Sequence, residues 1–174
     1  MNLLERIKKF RPSPITIILL IVIAYVWFRP PADVTEDNRT LAPVTMNELN
    51  GQTIDLQALR GKVVLISYWA TWCPYCRHEM PAMEKFYTDY KARGFEIIAV
   101  SIDDDPAKVA EFMRAEGYHF PVAMSDQALD DVIGRVTMVP TSFLIDKQGR
   151  VRKKISGQVH YARLEELVEP LLKE

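Results

Sequence analysis

The sequence predicts an α/β domain built around a dithiol site and preceded by one apolar N-terminal helix. Three observations predict it. Short β-branched and aromatic runs at residues 63–69, 95–102 and 141–145 alternate with stretches of helical periodicity, the pattern of strands layered against helices. The two cysteines of the chain, Cys73 and Cys76, stand just past the first of these runs. A basic segment followed by an unbroken apolar run opens the chain.

The N-terminal run comes first. Arg6, Lys8, Lys9 and Arg11 precede residues 15–28. As a helix, that run covers roughly 21 Å of a hydrocarbon core of about 30 Å. Its length also suits the apolar region of a signal peptide. Against cleavage, Tyr25-Val26-Trp27-Phe28-Arg29-Pro30-Pro31 puts aromatics and prolines where small residues precede a cleavage site. Tyr25 and Trp27 suit an interfacial belt, and Phe10 extends the insertion. No polar face interrupts residues 15–24, which argues against a buried helix of a globular protein. The expectation is a basic cytoplasmic segment at 1–13, an uncleaved transmembrane signal anchor at 14–28, a linker at 29–41 stiffened by Pro30-Pro31, and a single domain at 42–174. Positive charge before the span keeps the N-terminus cytoplasmic and exports the rest. The cysteines then face an oxidising compartment, such as the periplasmic side of a bacterial inner membrane.

Formal net charge is -1, which gives no support to nucleic-acid binding. Two cysteines make neither a disulfide scaffold nor a zinc module.

Within the domain, residues 42–46 and 50–56 read as two short strands around Asn50-Gly51, and residues 56–62 as a short helical turn stopped by Gly61. Residues 63–69 are a buried strand. Glu79, Met80, Met83, Phe86, Tyr87 and Tyr90 then recur at helical spacing up to Gly94, with Pro81 inside the helix as a source of a kink. Residues 95–102 are apolar enough for a central strand. Asp103-Asp104-Asp105-Pro106 reads as a helix start rather than a metal site, with Asp105 as N-cap. Val109, Phe112 and Met113 turn inward before Gly117. Residues 119–126 form a further short strand, with His119 a surface residue rather than a ligand, and residues 128–133 a short helix. Pro140 opens the strand at 141–145, Asp146-Lys147-Gln148-Gly149 turns the chain, and the Lys- and Arg-rich residues 150–155 form the edge strand. Leu164, Leu167, Val168 and Leu171 give residues 161–172 an apolar helical face.

The cysteines fall on the strand-to-helix turn, with Cys73 at the helix N-terminus, where the helix dipole favours a thiolate. Three readings compete. A structural disulfide across so short a loop constrains the unfolded chain little. Half of a metal site lacks partners, because structural zinc takes four ligands and His78, His119, His160 and the methionines are the other soft donors. Dithiol–disulfide exchange fits a low-pKa thiol with a second thiol one turn along.

Trp69-Ala70-Thr71-Trp72-Cys73-Pro74-Tyr75-Cys76-Arg77-His78-Glu79-Met80-Pro81 resembles the active site of membrane-anchored thioredoxin-like proteins of the TlpA/ResA/CcmG group. Val139-Pro140-Thr141 resembles their cis-proline loop. The resemblance covers residues 42–172 and implies a thioredoxin-like fold with an N-terminal β-hairpin and a βα-type insertion. It implies Cys73 as an exposed nucleophile, Cys76 as the buried resolving thiol and Glu79 as the group that manages its proton, with burial raising the Glu79 pKa. Thioredoxin keeps a buried Asp six residues before the first cysteine; here that place is Ser67. Trp72, Pro74, Tyr75, Val139, Pro140 and Thr141 are the implied substrate-binding residues. No cofactor and no metal are implied. The implied partners are a protein dithiol or disulfide, of apocytochrome c or copper-site type, and a membrane electron donor of thiol type. Reduction is the direction the resemblance favours. A periplasmic oxidant, and a tethered Cu(I) chaperone holding the metal on both thiolates, stay open as competing readings.

Overall fold

The computed structural model describes residues 13–27 and 33–174. The chain divides into two units, a short N-terminal one and a domain from Pro31 onward. The first contains helix α1 (Pro14–Trp27), whose side chains at Ile15 and residues 17–23 are exposed. Among the described residues no helix is long and apolar enough to cross a membrane. The expected basic cluster at Arg6, Lys8, Lys9 and Arg11, with Phe10, and the stretch from Phe28 to Pro31 lie outside the described residues.

The domain runs β1 (Asp33–Glu36), β2 (Thr45–Asn47), β3 (Thr53–Asp55), β4 (Val63–Trp69), α2 (Pro74–Tyr90), β5 (Phe95–Ser101), α3 (Pro106–Glu116), β6 (Val122–Met124), α4 (Gln127–Ile133), β7 (Thr141–Ile145), β8 (Val151–Ser156) and α5 (Tyr161–Lys173). A six-stranded sheet has the order β1-β8-β7-β4-β5-β6, and β2-β3 form a separate hairpin. β4 pairs parallel with β5 and antiparallel with β7.

Every residue of β4 and β5 is buried, because side chains alternate between two covered faces. Val63, Leu65 and Trp69 of β4 join Phe95, Ile97 and Ala99 of β5 against α2, α3 and α5. Val64, Ile66 and Tyr68 join Ile98, Val100, Leu129 and Ile133 on the other face. The aromatic centre of the first face is Phe86, stacked on Tyr90 at 4.0 Å and edge-on to Phe95 and Tyr161.

Helix boundaries follow the expected caps. Asp105 accepts from the Ala107 N–H and Pro106 sits in the first turn of α3. Gly94 and Gly117 close their helices at φ +89° and +71°, where a side chain would be strained. Pro81 lies inside α2 without ending it.

Four expectations are corrected. Residues 56–62 form hydrogen-bonded turns rather than helix. The strand expected at 119–126 shortens to Val122–Met124. Within the segment expected as a linker, Asp33–Glu36 pairs antiparallel with β8. As a result β8 is not an edge strand: β1 covers it, and Glu36 forms an ion pair with Lys153. The basic residues that read as edge protection instead meet an acidic strand.

Replacing Phe86 with Ala removes the ring shared by α2, β5 and α5. It is expected to cost about 3–5 kcal/mol of unfolding free energy in urea titration; a loss below about 1 kcal/mol would contradict this account of the core.

Candidate active site

β4 delivers the chain to a short loop, Ala70 to Trp72, and then to Cys73. Cys73 is the N-cap of α2 with extended backbone (φ −88°, ψ 109°), and its Sγ accepts the Cys76 N–H at 3.2 Å. Pro74 occupies the first helical position, where its missing N–H is no loss. Cys73 and Cys76 form a disulfide, Cα atoms 5.3 Å apart.

The loop is held from the end of β5. Asp103 accepts the Thr71 N–H at 2.9 Å and the Thr71 hydroxyl at 2.6 Å, while Ser101 Oγ donates to it at 2.7 Å. Of the three acids read as a helix start, only Asp105 caps α3; Asp103 instead fixes the backbone that carries Trp72 and Cys73. A side-chain bond across 32 residues has no periodic trace in the sequence.

Opposite the sulfurs, the Val139–Pro140 bond is cis, as the resemblance implies. The Val139 carbonyl oxygen lies 3.9 Å from Cys73 Sγ, and Pro140 is buried. Among the described residues neither the Val139 N–H nor its C=O has a backbone partner, so both are free to pair with an extended segment. The Thr141 side chain is buried, and its hydroxyl donates to the Met138 carbonyl at 2.8 Å. Its side chain holds the shape of the loop.

Cys73 is also more enclosed than expected. It is 4% exposed against 0% for Cys76, because its sulfur is bonded to Cys76 and lies beside the Val139 carbonyl. What is exposed is the rim around it: Trp72 (65%), Tyr75 (66%) and Met138 (69%) are the domain's exposed large apolar side chains among the described residues. Pro74 is exposed beside them. Met138 was missed in sequence, since nothing in its neighbours marks it as a surface residue.

Beneath the pair lies Glu79, one helical turn past Cys76 and buried. Its Oε2 accepts the Val159 N–H at 2.9 Å. Burial pushes its pKa up from 4.5 to about 8, against a smaller lowering by that N–H. Ser67, in the place of the thioredoxin Asp, is buried and hydrogen-bonded at 3.0 Å to Ser142, its register partner on β7. Glu79 is therefore the buried acid one helical turn past Cys76.

The chain matches the Redoxin family over residues 36–168. It is 41% identical over 121 residues to the thiol-disulfide oxidoreductase ResA of Bacillus thuringiensis, 69% of each chain. It is 34% identical over 150 residues to ResA of Geobacillus thermodenitrificans, 82% of this chain and 85% of that one. Among solved structures, a thiol:disulfide interchange protein of the thioredoxin family from Chlorobium tepidum superposes with a TM-score of 0.70 at 28% identity, covering 81% of this chain and 99% of its own.

Linkage sets the sign of a stability test. An unfolded Glu79 ionises near 4.5 and the folded one near 8. Between those values the folded state binds more protons, so the Glu79 contribution to stability falls as pH rises and levels off above pH 8. Glu79→Gln removes this titration. Between pH 5 and pH 8 the variant is expected to gain on the wild type by at most about 4 kcal/mol, read from urea unfolding. Parallel pH profiles would contradict a buried, protonated Glu79.

Proposed function

Since the chain belongs to the redoxin family and is a protein thiol-disulfide oxidoreductase of the ResA type, we propose that it is a membrane-tethered, extracytoplasmic reductant of protein disulfides. One observation carries the direction. Among the described residues the hydrogen-bond-range partners of Cys73 Sγ are one N–H, from Cys76, and one carbonyl oxygen, from Val139. A single N–H stabilises a thiolate modestly, and the carbonyl dipole opposes it. A reduced form without strong stabilisation gives a low reduction potential, as in thioredoxin and unlike DsbA.

The exchange balances as follows. The Cys73 thiolate attacks one sulfur of a substrate disulfide, forms a mixed disulfide and releases a substrate thiolate, which takes a proton from water. Cys76 gives its proton to the Glu79 carboxylate and attacks Cys73 Sγ. The second substrate thiolate leaves, and the Cys73–Cys76 disulfide remains. Reloading runs the other way: a donor thiolate opens the disulfide at Cys73, and protonated Glu79 returns a proton to Cys76. A carboxyl with a pKa of about 8 suits both directions at neutral pH, because neither state is far from accessible.

The substrate segment lies extended between the Trp72, Tyr75 and Met138 rim and the unpaired Val139 backbone. This favours an unfolded or loosely folded chain, such as an apocytochrome c or a copper-site protein awaiting its metal. Tethering rests on the basic residues before the apolar run at 15–28, and a thiol-type membrane donor would supply the electrons.

Cys73→Ser is expected to abolish exchange, and Cys76→Ser to accumulate mixed disulfides with substrate. The reduction potential, measured by equilibration with dithiothreitol or glutathione, is expected nearer the roughly −270 mV of thioredoxin than the roughly −120 mV of DsbA. A value near the latter would reverse the proposed direction.

A further inference from the structure

Three consecutive residues after β8 touch three different parts of the site. Gly157 turns the chain at φ +101° and donates its N–H to the Pro140 carbonyl at 2.9 Å. The Gln158 side-chain amide donates Nε2–H to the Tyr75 carbonyl at 2.9 Å. The Val159 N–H donates to Glu79 at 2.9 Å. Gly157 and Val159 act through backbone groups, so the side chain that carries information here is that of Gln158.

Tyr75 and Cys76 share one peptide unit. Its carbonyl accepts from Gln158, and its N–H donates to Cys73 Sγ at 3.2 Å. We infer that Gln158 is a positioning residue that tunes the attacking sulfur through this peptide. A donor on the carbonyl polarises the amide and makes its N–H a better donor. It also holds the peptide plane so that the N–H stays aimed at the sulfur. The N–H bond is charge-assisted when Cys73 is a thiolate and weak when it is a thiol. Gln158 therefore stabilises the thiolate more than the thiol. It lowers the Cys73 pKa and shifts the dithiol–disulfide balance toward the reduced form.

The titratable and charged groups on the elements around this sulfur are few. Arg77 and His78 are exposed on α2, and Glu79 is buried there. Asp103 after β5 is engaged by Thr71 and Ser101. His160, beyond Val159, is exposed, and residues 136–139 before Pro140 carry no charge. None of them changes when Gln158 is replaced by Met, so a difference between wild type and that variant reports the amide bond, whereas Glu adds a negative charge of its own.

The inference rests on Cys73 being the attacking sulfur. The test uses the full chain, wild type, Gln158→Met and Gln158→Glu. Met keeps the length and loses the donor; Glu, once ionised, sets an acceptor against the carbonyl. Thiolate absorbance of the reduced protein against pH is expected to show the Cys73 pKa rising by about half a unit in the Met variant, the size of one partly exposed hydrogen bond, and by more in the Glu variant. The equilibrium constant with glutathione is expected to move about threefold toward the Cys73–Cys76 disulfide, roughly 15 mV by the two-electron relation. His160→Ala, on the same loop without a bond to the site, is expected to leave both readings unchanged. An unchanged Cys73 pKa in the Met variant, whatever the Glu variant shows, would overturn the role of Gln158. A wild-type Cys73 that titrates no lower than an ordinary thiol would instead overturn the assignment of the attacking sulfur.

Discussion

The N–H of Cys76 pointing at the sulfur of Cys73 is the interaction around which the domain is arranged. It exists because Cys73 is both the last residue of a loop and the cap of a helix. Three strands fix that position. β4 leads into the loop and is buried on both faces, so its exit point cannot wander. β5, paired to it in parallel from Val63↔Phe95 to Trp69↔Ser101, ends beside that exit and lends Asp103 to hold Thr71. β7, running the other way with Thr141 opposite Tyr68, begins there and brings Val139 and Pro140 to the same sulfur. The chemistry thus sits at the end of the sheet where parallel strands finish and an antiparallel one starts.

The same geometry separates two sulfurs that are three residues apart. Cys73, 4% exposed, lies just below the rim of large apolar side chains formed by Trp72, Tyr75 and Met138. Cys76 is fully buried one turn before Glu79, which burial keeps protonated well above the usual carboxylate range. In the proposed exchange, attack and proton transfer fall to different residues on one helical turn. An exposed glutamate at this position would be ionised at neutral pH and could not return a proton to Cys76.

Much of the site was legible in the sequence, for physical reasons. A turn between an apolar run and a helical period can only place Cys73 at a helix start, and Glu79 follows Cys76 by one turn on the buried face. The cis-proline loop and the rise in the Glu79 pKa came from resemblance and were found. Helix ends were legible because Gly94, Gly117 and Asp105 act locally. What the sequence hid was long-range. β1 is four residues, all polar but Val34, which alone is partly buried, and its partner strand lies more than a hundred residues away. Asp103 and Gln158 act through single side-chain bonds to Thr71 and Tyr75 that leave no pattern. The enclosure of Cys73 follows from the disulfide and the Val139 carbonyl together, and neither can be read from spacing.

The central claim is that Cys73, and not Cys76, is the sulfur that meets a partner. It is tested most directly by reducing the full chain and treating it with less than one equivalent of iodoacetamide at mildly acidic pH, then mapping the label by peptide mass. The account predicts label on Cys73 with Cys76 almost untouched. Equal labelling, or label on Cys76 first, would contradict it.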